Sequence, residues 1–119
     1  MEKNYDIIVD VRGKDEFTVE HIQDSVDLPL DFIESREARV AKLLKGKRVL
    51  LMCRSGRRAE LAKNILEPHT EIDSLSIFPG GILEYKKQFP NEIISGENTK
   101  NKLPIMRQVQ LTAGILILL

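Results

Sequence analysis

One cysteine, two histidines and no tryptophan stand in a chain of 119 residues. A single cysteine excludes an intramolecular disulfide framework and a cysteine-rich zinc site. His21 and His69 lie far apart, with no cysteine or second histidine at ligand spacing, so no metal is expected. Net charge is just as scarce. Eighteen Lys and Arg balance eighteen Asp and Glu, which argues against a general nucleic-acid binder, whose surface carries a basic field or stripe. No Walker loop or Gly-x-Gly-x-x-Gly occurs, so no nucleotide or nicotinamide cofactor is expected. The stretch from Met1 to Asp6 is charged and no apolar run follows it, so no signal peptide is expected. The length suits one domain large enough to fold without staples.

The single cysteine has a distinctive setting. Cys53-Arg54-Ser55-Gly56-Arg57-Arg58 lies between the apolar run Arg48 to Met52 and a helix-like stretch of about Arg57 to Leu66 that stops before Pro68. Thiols react as thiolates, and helix N-termini and nearby cations favour that form. Arg54, Arg57 and Arg58 supply cations, and the helix would aim its unpaired N–H groups at the loop. Gly56 permits the backbone angles of an anion-binding turn. Ser55 would offer a hydroxyl to a bound anion; a serine nucleophile is not expected, because Gly-x-Ser-x-Gly is absent. The pattern points to Cys53 as a nucleophile in an electropositive cradle. The plainer alternative is a small buried hydrophobe at a strand end, with arginines that solvate a loop.

Strand-like and helix-like segments alternate along the chain. Strands are expected at Asp6–Val9, Val26–Leu28, Arg48–Met52 and Ser74–Phe78. Helices are expected around Lys14–His21, from Phe32 to Leu44 with Gly46 closing it, over the stretch after the cysteine loop, and at Leu83–Gln88. Such alternation predicts an α/β domain, a central parallel sheet with helices on both faces. Ligands bind such sheets at the carboxyl ends of their strands, where both Cys53 and Asp10 fall. Asp10 has two readings: it pairs with an arginine such as Arg58 and shapes the loop, or it caps the segment Val11–Glu16. Arg12 reads as the partner of a carboxylate, with a substrate contact as the alternative.

Several stretches together resemble the rhodanese family of sulfurtransferases. Besides the cysteine loop they are Tyr5-Asp-Ile-Ile-Val9 with Asp10-Val11-Arg12, Glu20-His21-Ile22 with Val26-Asp-Leu-Pro-Leu30, and Phe78-Pro79-Gly80-Gly81-Ile82. The likeness covers roughly residues 5 to 90. It departs at Glu20, where glycine is common, and at Gln23-Asp24-Ser25, where Pro-Gly-Ala is usual. The resemblance implies a rhodanese-like fold and a sulfane sulfur carried as a Cys53 persulfide, with Arg54 to Arg58 as the substrate loop. A thiosulfate-like donor and a cyanide or thiol acceptor are its implied partners. With no resolving thiol in the chain, the acceptor must be another molecule. Tyrosine and dual-specificity phosphatases use a cysteine, five residues and an arginine. Here the sixth residue after Cys53 is Ala59, which suits a small sulfur-bearing anion better than a phosphate ester. A phosphatase or arsenate-reductase activity remains an alternative, as does a sulfur- or nitric-oxide-sensing module modified at Cys53.

The tail changes character. Residues 1–90 read as the catalytic domain, 91–103 as a polar linker, and 104–119 as the start of an apolar helix. Val109 to Leu119 supplies eleven residues, short of the roughly 20 needed to span a bilayer. The segment around Leu103 to Leu116 resembles the junction in bacterial membrane-anchored rhodaneses, so the expectation is a sequence that stops within a first membrane helix. Lys100, Lys102 and Arg107 would then keep the domain at the cytoplasmic face. The alternative is a terminal helix whose Ile105, Val109, Ala113 and Leu116 stripe docks on its own domain or a second copy. Oligomeric state is not written in the sequence.

Overall fold

Two runs that are apolar on both faces, Ile7–Asp10 (β1) and Arg48–Met52 (β4), can satisfy that pattern only inside a sheet. In the structure, a computed structural model that describes residues 4–96, they are the two inner strands. They pair in parallel, Ile7 opposite Val49 and Asp10 opposite Met52. Val26–Asp27 (β3) joins the outer side of β1 and Ser74–Ile77 (β5) the outer side of β4, giving the all-parallel order β3-β1-β4-β5. Alternate side chains leave the sheet in opposite directions. Val9, Val11, Val49, Leu51 and Cys53 enter one core with Ile33, Val40, Ala59, Ala62 and Leu66. Ile8, Leu50 and Met52 enter a second core with Ile22, Ile82 and Tyr85. Helices thus flank both faces, as the alternation predicts.

The helices depart from expectation in two places. The stretch from Phe32 to Leu44, expected as one helix, is two: α2, Leu30–Ser35, and α3, Glu37–Leu43. Arg36 leaves helical angles between them (φ −139°, ψ 43°), and the Ser35 hydroxyl donates to the Phe32 carbonyl, a local bond that competes with helix continuation. The break lets Ile33 and the Val40–Ala41 pair both reach the core, while Leu43, the last residue of α3, is 58% exposed. The first helix, expected to reach His21, ends sooner. Helix α1 covers Lys14–Val19, and Glu20–Ile22 becomes β2.

The partner of β2 lies where a linker was expected. A 3-10 turn at Pro90–Glu92 leads into β6, Ile93–Ser95, which runs antiparallel to β2 with His21 opposite Ile94. Ile22 is fully buried and Ile93 packs beside it. The folded unit therefore continues past residue 90, because Ile93 and Ile94 carry strand character inside a polar stretch. The remaining helices are α4, Arg57–Leu66, and α5, Gly81–Gln88. Among the described residues no helix is long and apolar enough to cross a membrane. The rest of the expected linker, beyond Gly96, and the segment 104–119 expected to begin an apolar helix lie outside the described residues.

Candidate active site

β4 delivers Cys53 to its carboxyl end, and the chain turns through Arg54-Ser55-Gly56 into α4. Gly56 precedes the helix with φ +112°, a region closed to most side chains. That turn folds the backbone over the sulfur. The Gly56 N–H donates to Cys53 Sγ at 2.9 Å and the Ala59 N–H at 3.4 Å. Two helix-start amides thus point at one sulfur, the arrangement that favours negative charge there. Cys53 itself is only 1% exposed, at the floor of the loop. Burial is common to both readings of Cys53; the two converging N–H donors are what the plainer one leaves without a purpose.

A second turn holds the loop from beneath. The first amides of α5 take its carbonyls: Ile82 N–H donates to Cys53 O at 2.8 Å and Leu83 N–H to Arg54 O at 3.3 Å. Gly81 makes this approach feasible. A Cβ built there would fall 2.4 Å from both carbonyl oxygens, and its φ is +63°. In the sequence Phe78-Pro79-Gly80-Gly81-Ile82 stood out only as part of the family resemblance; its grip on the cysteine loop is a tertiary contact without local signal.

The loop arginines divide. Arg54 and Arg57 are exposed, as is Ser55, and among the described residues neither guanidinium makes a hydrogen bond or ion pair. Arg58 is committed elsewhere. Its Nη1 and Nη2 donate to Glu16 Oε1 and Oε2 at 2.7 and 3.0 Å, and Glu16 also accepts the Gly13 N–H that starts α1. The Arg58 bond is the main reason the Glu16 carboxyl is held down to about 2. Glu16 went unrecognised as a loop support in the sequence. Its place at the third position of α1 marks a helix-capping glutamate, but nothing local pairs it with Arg58.

Asp10 does not pair with Arg58. It binds Arg12, Nε to Oδ1 at 2.9 Å and Nη2 to Oδ2 at 2.8 Å, and accepts the Arg12 backbone N–H at 3.0 Å. Both are buried, and Arg12 Nη2 also donates to the Glu20 carbonyl at 2.7 Å. The preference has a geometric cause: Asp10 leaves the sheet on the same side as Ile8, whereas Cys53 lies in the opposite core. The pair ties β1 to β2 and makes no hydrogen bond to the cysteine loop among the described residues. Beside it Asp27, opposite Asp10 in the sheet, has a buried Oδ1 with no partner. Burial, then the Asp10 charge, push its carboxyl above the ordinary range.

The histidines are engaged locally. His21 stacks on Phe17 at 4.0 Å with Nδ1 against the Phe17 carbonyl, and His69 meets Glu37 at 2.8 Å. No group of three or more His, Cys, Asp or Glu that could hold a metal occurs among the described residues.

Comparison with known proteins agrees with this geometry. The profile of the rhodanese-like domain matches residues 1–88. An uncharacterized protein of Synechocystis sp. is 35% identical over 113 residues, covering 94% of this chain. An adenylyltransferase and sulfurtransferase of Candida glabrata is 26% identical over 89 residues, 69% of the chain. The chain spans 59% of the length of the first relative and 21% of the second. The solution structure of a rhodanese-like domain from Anabaena sp. superposes with a TM-score of 0.66 at 18% identity, covering 92% of this chain and 78% of that one, a likeness of fold.

Proposed function

The chain belongs to the rhodanese-like family, a family that includes sulfurtransferases, and from that premise we propose that it transfers sulfane sulfur through a persulfide on Cys53. The observation that carries this reading is the pair of N–H groups, from Gly56 and Ala59, converging on Cys53 Sγ. In the first step the Cys53 thiolate attacks the outer sulfur of a thiosulfate-like donor. The donor S–S bond breaks, its electron pair leaves with sulfite, and Cys53 carries a terminal sulfur. That added sulfur extends from the buried thiol toward the exposed rim of Arg54, Ser55 and Arg57. Loop N–H groups and the two guanidinium groups stabilise its charge. In the second step cyanide or a thiolate attacks the terminal sulfur, the persulfide bond breaks, and the electron pair returns to Cys53. The products are thiocyanate or an acceptor persulfide. Arg58 acts at one remove, holding the start of α4 through Glu16. Asp10 and Arg12 act as supports for the ends of β1 and β2.

Steady-state thiocyanate formation from thiosulfate and cyanide tests the proposal. Many turnovers per chain, abolished by Cys53→Ser in a folded variant, support it. Loading that stops after one equivalent contradicts it in favour of a sensing module.

Membrane association belongs to the same set of proposals. It rests on the apolar run Val109–Leu119 and on Lys100, Lys102 and Arg107 before it. Partitioning into vesicles of the chain with and without residues 103–119 tests it; equal partitioning contradicts it.

A further inference from the structure

Only six aromatic residues occur in the chain, and four of them, Tyr5, Phe78, Tyr85 and Phe89, line one cavity of about 470 Å³. Its floor is Leu50, so it lies on the face of the sheet away from Cys53, beside the edge strand β5. The volume falls in the range that holds a small organic molecule. The rings are packed as a fixed wall: Phe78 meets Tyr85 edge-on at 5.0 Å, and Phe89 lies tilted against Tyr85 at 4.8 Å.

Among the described residues one charged side chain lines this cavity. Glu92 lines the cavity, and the Tyr85 hydroxyl donates to its Oε1 at 2.5 Å. Tyr85 is 3% exposed; burial, with the Glu92 bond behind it, pushes its phenol well above the ordinary range, so it remains a donor and fixes the carboxylate in place. No basic side chain among the described residues stands within ion-pair distance of Glu92. A carboxylate that shares a cavity with four aromatic rings is a combination that attracts cations: ring quadrupoles and carboxylate act in the same direction, and partial desolvation strengthens both.

The geometry points to this cavity as a binding site for a small organic ammonium with an apolar body, its charge at Glu92 and its body among Leu50, Phe78 and Phe89. The site is separate from the cysteine loop and does not depend on sulfur transfer. It shares one element with that loop, because Phe78 and Pro79 line the cavity and the next two residues begin the turn that grips Cys53 and Arg54.

Amide chemical-shift titration of the 119-residue chain tests the assignment with three probes of one shape: benzylammonium, benzyl alcohol and benzoate. Expected are saturable shifts with benzylammonium at Ser76, Ile77, Phe78, Tyr85 and Glu92, and a dissociation constant at least tenfold tighter than that of benzyl alcohol, with benzoate weaker still. Glu92→Gln should erase the preference for benzylammonium over benzyl alcohol, and Phe89→Ala should weaken both. The wild-type probe series stands without either variant. A preference below tenfold, shifts confined to other residues, or no saturable shift overturns the assignment.

Discussion

Arg58 and Glu16 form a two-contact ion pair, 2.7 and 3.0 Å, that fastens the first turn of α4 to α1 across a chain separation of 42 residues. Arg58 is the one loop arginine so engaged among the described residues: Arg54 and Arg57 stand exposed at the rim, and Arg58 serves as a strut.

Glu16→Gln and Arg58→Ala should each slow sulfur loading of Cys53, by about tenfold if loop position alone is disturbed, and Lys14→Ala should not. The pair also sets an acid dependence. Glu16 has its carboxyl lowered from 4.5 to about 2 in the fold, so its contribution is fully present above 4.5 and is lost as pH falls through 2. Both partners are more than a third exposed, which keeps the contribution small. Acid unfolding followed by circular dichroism should show wild type above Glu16→Gln at pH 6, with the two converging near pH 2.

Gly81→Ala should be the most damaging glycine change near the site. The added Cβ meets two backbone carbonyl oxygens at 2.4 Å, and neither can move without tearing the cysteine loop from α5. A loss of about 3 kcal/mol in unfolding free energy is expected, along with loss of sulfur loading. Gly13→Ala offers the contrast, since its Cβ has only an ordinary 3.7 Å contact and a helix-start glycine costs no more than about 1 kcal/mol to replace. Urea unfolding of both variants checks the difference.

Asp27 carries a cost at neutral pH. Its folded carboxyl is raised above 3.8 by burial and by Asp10, so the stability linked to its proton is fully present below 3.8 and is lost as pH rises through the raised value. Asp27→Asn replaces the charge with an amide able to donate, and should stabilise the domain at pH 7 by about 1 kcal/mol, the low end for an unsatisfied buried group that is partly exposed. The gain should vanish toward pH 3. Thermal melts across that range measure it.

The cysteine loop was legible because its signals are contiguous: an apolar strand, Cys53, Gly56 and a helix start within a dozen residues. The parallel sheet was legible for the same reason, as β1 and β4 are apolar on both faces. The second, antiparallel sheet escaped because each of its strands depends on a distant partner. Glu20 and His21 read as the end of a helix until β6 is placed against them, and Ile93–Ser95 reads as linker until β2 is. Of the two readings of Asp10, the pairing with Arg58 fails because side-chain alternation sends Asp10 to the face away from Cys53, where it meets Arg12, itself legible as the partner of a carboxylate. The break at Arg36 hides in a stretch whose apolar spacing continues across it.

Intact-protein mass spectrometry after incubation with thiosulfate, then with cyanide, addresses the Cys53 persulfide most directly. A gain of one sulfur on wild type, absent from Cys53→Ser and removed by cyanide with release of thiocyanate, is the expected result. A folded protein that gains no sulfur from thiosulfate, or that gains it equally in Cys53→Ser, would contradict a persulfide carried at the floor of this loop.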